Sequence, residues 1–104
     1  MNSKIHDPYI DAFYDAILAL DTKEECDKFF EDICTISEIK SISQRLKVAV
    51  MLDNGKTYSE ITEETGISTA TISRVNKCLE YGADGYRIVL DKIKSSDNID
   101  NRGV

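Results

Sequence analysis

Residues 55–79 read Gly-Lys-Thr-Tyr-Ser-Glu-Ile-Thr-Glu-Glu-Thr-Gly-Ile-Ser-Thr-Ala-Thr-Ile-Ser-Arg-Val-Asn-Lys-Cys-Leu, and this stretch decides the fold. It encodes two short helices joined by a tight turn. Thr57, with Glu60 three residues on, is a capping box in which each side chain satisfies a free backbone N–H. Gly66 permits the positive φ that ends a helix, and Ser68 is a good N-cap for the next one. Ile61 points inward from the first helix and Ile67 plugs the turn. Ile72, Val75 and Leu79 form an i, i+3, i+7 apolar stripe on the second.

The opposite face of that second helix carries Thr69, Ala70, Ser73, Arg74 and Lys77: short side chains, two cations and no acid. A helix of this kind can lie against a phosphate backbone and offer small donors to a major groove. The pattern predicts a DNA-binding helix-turn-helix over about 57–81, with Ser68–Leu79 as the recognition helix. Thr69, Ala70 and Ser73 would meet base edges, and Arg74, Lys77 and Lys56, with Arg45 and Lys47, would meet phosphates. Ser68, at the start of the helix, completes the DNA-facing set. The plainer reading is a helical hairpin inside a protein-binding domain.

Outward from this centre the chain stays helical. Asp7-Pro8 is an N-cap followed by proline at the first helical position, where its missing N–H costs nothing. Ile10, Phe13, Tyr14, Ile17 and Leu18 then keep helical spacing. Thr22 and Glu25 open a second helix with Cys26, Phe29, Phe30 and Ile33 on its stripe. Thr35 and Glu38 open a third, running to about Asn54, with Ile39, Ile42, Leu46, Val50 and Met51 inward. After Tyr81-Gly82, Asp84 can cap a last helix that Tyr86, Ile88, Val89, Leu90 and Ile93 make apolar on more than one side. A terminal helix that apolar wants a partner beyond its own chain. No segment alternates as a strand would. The expectation is an all-α fold of about six helices in a single domain over 1–94, with residues 1–6 frayed and 95–104 a disordered tail.

The net charge of −6 is unevenly placed. Residues 1–36 hold nine acids and three bases, whereas residues 37–94 hold eight acids and nine bases. The acid therefore gathers away from the reading helix, and distribution rather than total charge sets the electrostatic footprint. Three cysteines, Cys26, Cys34 and Cys78, form no Cys-x-x-Cys pair, and His6 is the one histidine. No metal set assembles at familiar spacing, and each cysteine reads as a small, semi-buried core residue. No segment approaches the roughly 20 apolar residues of a membrane span, and no apolar run follows a basic start, so no signal peptide is read and a cytoplasmic location is expected.

The run Ser-Thr-Ala-Thr-Ile-Ser-Arg-Val-Asn at 68–76, with Arg-Leu-Lys-Val at 45–48 and the capped start at Thr35, resembles the bacterial Trp repressor. The likeness covers about 35–79, more loosely to Ile93, and is similar over nearly the full length to the YerC/YecD-type branch of that superfamily. The resemblance implies an intertwined homodimer whose two reading heads lie one DNA turn apart, roughly 34 Å, on a near-palindromic operator. It also implies a pocket for an L-tryptophan-like co-repressor, at positions matching Thr35, Arg45, Arg74 and Cys78. Arginine suits the carboxylate by its bidentate fork and the indole by stacking. Two positions depart from the family pattern. Val75 stands where the family has glycine and can fill the indole slot, and Cys78 replaces a serine.

Two readings therefore compete. One is a homodimeric transcriptional regulator, a repressor, bound to double-stranded DNA through the helix-turn-helix. The other is a helical protein-interaction module that uses the acidic N-terminal face, and salt-sensitive DNA binding separates the two. An enzyme is not expected: there is no Gly-rich phosphate loop, no Cys/His dyad and no carboxylate pair placed with a base.

Overall fold

Six helices and no strand make up the chain among the described residues of the computed structural model, 7–100, the side chains of 97–100 excepted. They are α1 (Pro8–Leu18), α2 (Lys23–Ile33), α3 (Ile36–Asp53), α4 (Tyr58–Thr65), α5 (Thr69–Tyr81) and α6 (Gly85–Asp100). The expectations for residues 1–6 and 101–104 lie outside the described residues. The expected tail from Ser95 is corrected in part, because α6 continues to Asp100. Polar composition alone does not stop a helix, and residues 95–100 contain neither glycine nor proline.

The helix starts are local chemistry. The Asp7 carboxylate accepts from the Ile10 N–H at 2.8 Å, with Pro8 following. Thr35 and Glu38 exchange both bonds of a capping box, at 2.8 and 3.1 Å. At α2 the Thr22 hydroxyl accepts from Glu25, but the Glu25 carboxylate reaches back to the Asp21 N–H at 2.7 Å rather than to Thr22. That box therefore closes one residue earlier in the chain than its sequence spacing predicts.

Two compact units emerge, one ending at Ser41 and the other beginning at Ile42, so the division falls within α3. In the first, Phe13 of α1 and Phe29 of α2 bring their rings to 6.2 Å between centroids, and Phe29 meets Phe30 edge-on at 5.5 Å. Neither α1 nor α2 contains a buried residue; Tyr9 is 89% and Leu18 81% exposed. The second unit holds the hydrophobic core: Val48, Ala49 and Met51 of α3, Ile61 of α4, Ile67 of the turn, Ile72 and Val75 of α5, and Leu90 of α6.

This core corrects part of the expected inward face of α3: Met51 is buried and Val50 packs against the core as expected, but Ile42 and Leu46 are not inward. Val48 and Ala49 are fully buried, while Ile42 and Leu46 are exposed. The helix carries apolar residues on two sides, and periodicity cannot say which side a given neighbour takes. The cysteines differ too: Cys26 and Cys78 are exposed and only Cys34 is partly buried.

Candidate nucleic-acid interface

The turn between α4 and α5 is held by three kinds of restraint. Gly66 adopts φ +78°, the left-handed conformation that L side chains rarely take. Ile67, 7% exposed, drives its side chain into the core. Two threonine hydroxyls then satisfy the backbone around it. Thr65 donates to the Ile61 carbonyl at 2.6 Å and accepts from the Ile67 N–H at 3.0 Å, and Thr62 donates to the Ile67 carbonyl at 3.1 Å. Tight turns bury backbone groups that need partners, and these two side chains supply them. Sequence spacing did not single out either threonine.

The start of α4 is equally fixed. Thr57 and Glu60 form the complete capping box, at 2.8 and 3.1 Å, and those hydrogen bonds hold the Glu60 carboxyl below its ordinary pKa. The Ser68 hydroxyl caps α5 by accepting from the Thr71 N–H at 3.3 Å. It therefore serves the helix start directly at the surface where Thr69 and Ala70 emerge.

With Ile72 and Val75 sealed in the core, the other side of α5 is presented outward. Thr69, Ala70, Arg74 and Lys77 are exposed and Ser73 is partly so. The one acid of the helix, Glu80, lies near its C-terminal end and accepts from the Asn76 amide at 3.1 Å. Lys56 is exposed but engaged: its ammonium lies 3.3 Å from Glu64 of α4. The expected DNA-facing residues of α5 thus share one face, whereas Lys56 is partly neutralised by a neighbouring acid.

A second feature lies at the base of α5. An open, mostly apolar groove of about 580 Å³ is lined by α3, the α5–α6 joint and the start of α6. Ile42, Leu46, Tyr86 and Val89 form its walls, with Arg45 and Cys78 beside them. Burial chiefly, and the nearby Cys78, push the Tyr86 phenol above its ordinary pKa, while Arg45 and Arg74 act in the opposite direction. Of the four residues expected in a co-repressor pocket, Arg45 and Cys78 therefore line one groove. Arg74 is not among its walls, and Thr35 caps α3 in the other unit. Val75 is not a groove residue either; at 1% exposed it belongs to the core. Its branched side chain packs inside the helix-turn-helix.

Residues 9–94 match the model of a family described as Trp repressor protein. The chain belongs to the Trp repressor family. Within it, the chain is similar to the protein YerC of Bacillus subtilis, at 51% identity over 90% of each chain. It is also similar in structure to a TrpR-like protein from Eubacterium eligens, with 49% identity and a TM-score of 0.85 over 89% of this chain and 96% of that one. A Staphylococcus aureus structure shares the same TM-score at 48% identity, covering 90% of this chain and 95% of its own. Trp repressor family membership establishes the all-α architecture and the YerC-type branch, and it places the chain in a family of DNA-binding regulators rather than enzymes. No helix among the described residues is long and apolar enough to cross a membrane.

Proposed function

We propose that this protein is a cytoplasmic, sequence-specific transcriptional repressor that binds double-stranded DNA as a homodimer, with α5 as its reading helix. The observation that carries this is the division of α5 into two faces. Ile72 and Val75 anchor it rigidly, while Thr69, Ala70, Ser73, Arg74 and Lys77 form an outward row without an acid. Thr69, Ala70 and Ser73 are short, so they read few bases directly, and water and DNA shape share the discrimination. Arg74 and Lys77 position the helix through phosphates.

Dimerisation is supported by apolar surface that a single chain leaves open. Ile42 is 53%, Ile88 55% and Val89 43% exposed, and α1 and α2 bury nothing fully. Ile42 and Val89 line one open groove, and exposed apolar patches of this kind mark interaction sites. A two-fold dimer then accounts for a near-palindromic site.

Titration of the protein against labelled duplex at two salt concentrations tests the reading. Binding should weaken steeply with salt, as counterion release requires. Salt-independent or absent binding, with the dimer intact, would favour the protein-interaction module and its acidic N-terminal face instead.

The groove supports a second element of the reading, an L-tryptophan-like co-repressor. Arg45 offers a carboxylate partner beside the apolar walls of Leu46 and Tyr86. Calorimetric titration with L-tryptophan should show one site per chain that Arg45→Ala removes; no heat of binding would leave the regulator without this effector.

A further inference from the structure

Asp53 is the last residue of α3, and an acid there sits badly. The carbonyl end of a helix carries partial negative charge, so a carboxylate at that position is destabilising unless cations answer it. Two do, both from α6: Arg87 at 2.9 Å and Lys94 at 2.6 Å, one on each carboxylate oxygen. The Asp53 side chain is only 11% exposed. Arg87 and Lys94 are seven residues apart, so both lie on one face of α6. Between them lies Leu90, 2% exposed and part of the helix-turn-helix core. Two ion pairs on one carboxylate thus tie α6 to the end of α3, beside the apolar plug that Leu90 drives into the helix-turn-helix core.

Position gives this grip its meaning. Immediately after Asp53 the chain turns through Asn54 and Gly55, at φ +84°, into Lys56 and the reading head. On α6, Ile88 and Val89 are exposed, part of the surface assigned above to the second copy. One helix therefore holds the point where the head departs and also presents apolar surface to the partner.

We propose that Asp53, Arg87 and Lys94 are positioning residues that fix the angle of the reading head on α6, and thereby the half-site spacing the dimer accepts. The inference rests on the homodimeric DNA reading above. None of the three touches DNA in this scheme. Their effect passes through geometry: a head held to α6 by the apolar contacts of Leu90 and Tyr86, without the ion pairs, tolerates several spacings and commits fully to none.

The test uses the full chain and three duplexes carrying the site that the unmodified protein selects: the parent spacing, half-sites moved one base pair apart, and a single half-site. Arg87→Gln and Lys94→Gln are compared with the unmodified protein, and circular dichroism and melting confirm folding. The unmodified protein should prefer the parent spacing sharply. The variants should lose about tenfold at that spacing, within the range of coupling through packed networks, while single half-site binding stays unchanged and the penalty for altered spacing shrinks. Arg87→Lys should restore the preference. A purely structural role would lower single and paired half-site binding together. That parallel loss, or an unaltered spacing profile, overturns the proposal. Failure of the unmodified protein to bind any paired site would remove the DNA reading and this inference with it.

Discussion

Arg74 and Glu64 carry opposite consequences for the same surface. Arg74 is exposed on the outward row of α5, so Arg74→Ala should weaken DNA binding across sequences and reduce the slope of log affinity against log salt by about one. Fluorescence anisotropy at several salt concentrations measures both. Glu64 pairs with Lys56 at 3.3 Å, with both side chains well exposed. Surface pairs of this kind are worth about 0–1 kcal/mol, so Glu64→Gln leaves stability almost unchanged. It frees Lys56 for phosphate, however, and affinity in the same assay should rise. Thr65 is different again. Thr65→Val keeps the shape but deprives the Ile67 N–H of its acceptor and the Ile61 carbonyl of its donor. An unsatisfied buried group costs about 1–3 kcal/mol, and thermal unfolding should show a corresponding loss. The capping residues Asp7, Thr35, Thr57 and Ser68 were legible in the sequence because their partners lie three residues on. The Lys56–Glu64 pair and the threonine bonds of the turn were not, because they depend on how the turn is shaped.

At the scale of elements, what could be read depended on whether a helix has one apolar face or two. For α4 and α5, Ile61, Ile67, Ile72 and Val75 lie where their spacing predicts, all buried. For α3, Ile42 and Leu46 keep equally good helical spacing yet remain exposed. Spacing reports an apolar stripe; it does not report which neighbour covers it. The groove was missed for that reason, since Ile42 and Leu46 read as the inward face of α3 and Tyr86 and Val89 as surface for a partner beyond the chain. Asp53 was missed because its cations lie far along the chain, on α6. Its carboxyl is held below the usual value of 3.8 by hydrogen bonds from Lys94 and then Arg87. A folded pKa below the unfolded one stabilises the protein above the unfolded value, and that contribution fades as pH falls through the folded one. Asp53→Asn should therefore lower the melting temperature at neutral pH, by an amount on the order of 1 kcal/mol in stability after screening of the partly exposed cations. The difference from the unmodified protein should shrink below about pH 4. A difference independent of pH would mean that packing, not charge, is lost.

For the whole molecule, the charge count pointed away from nucleic acid until it was divided along the chain. The net negative charge lies in residues 1–36, where nine acids face three bases, and α5 has no acid on its outward row. The apolar side chains left open on α1, α3 and α6 are the other whole-molecule feature, and the proposed homodimer would cover them with a second copy. Ile42→Glu together with Val89→Glu should shift sedimentation from dimer to monomer and abolish binding to paired half-sites. A dimer that survives both changes would place the subunit contact elsewhere. Neither substitution touches the buried core residues Val48, Ile61, Ile72 and Val75, so a folded monomer is the expected product.

The central claim is that α5 reads a specific DNA sequence. Its most direct test is selection of genome fragments by the purified protein, with and without L-tryptophan, at two salt concentrations. An enriched near-palindrome is expected, with half-sites about one helical turn apart, retained less well at the higher salt and lost with Arg74→Ala. No enrichment under any of these conditions would contradict it.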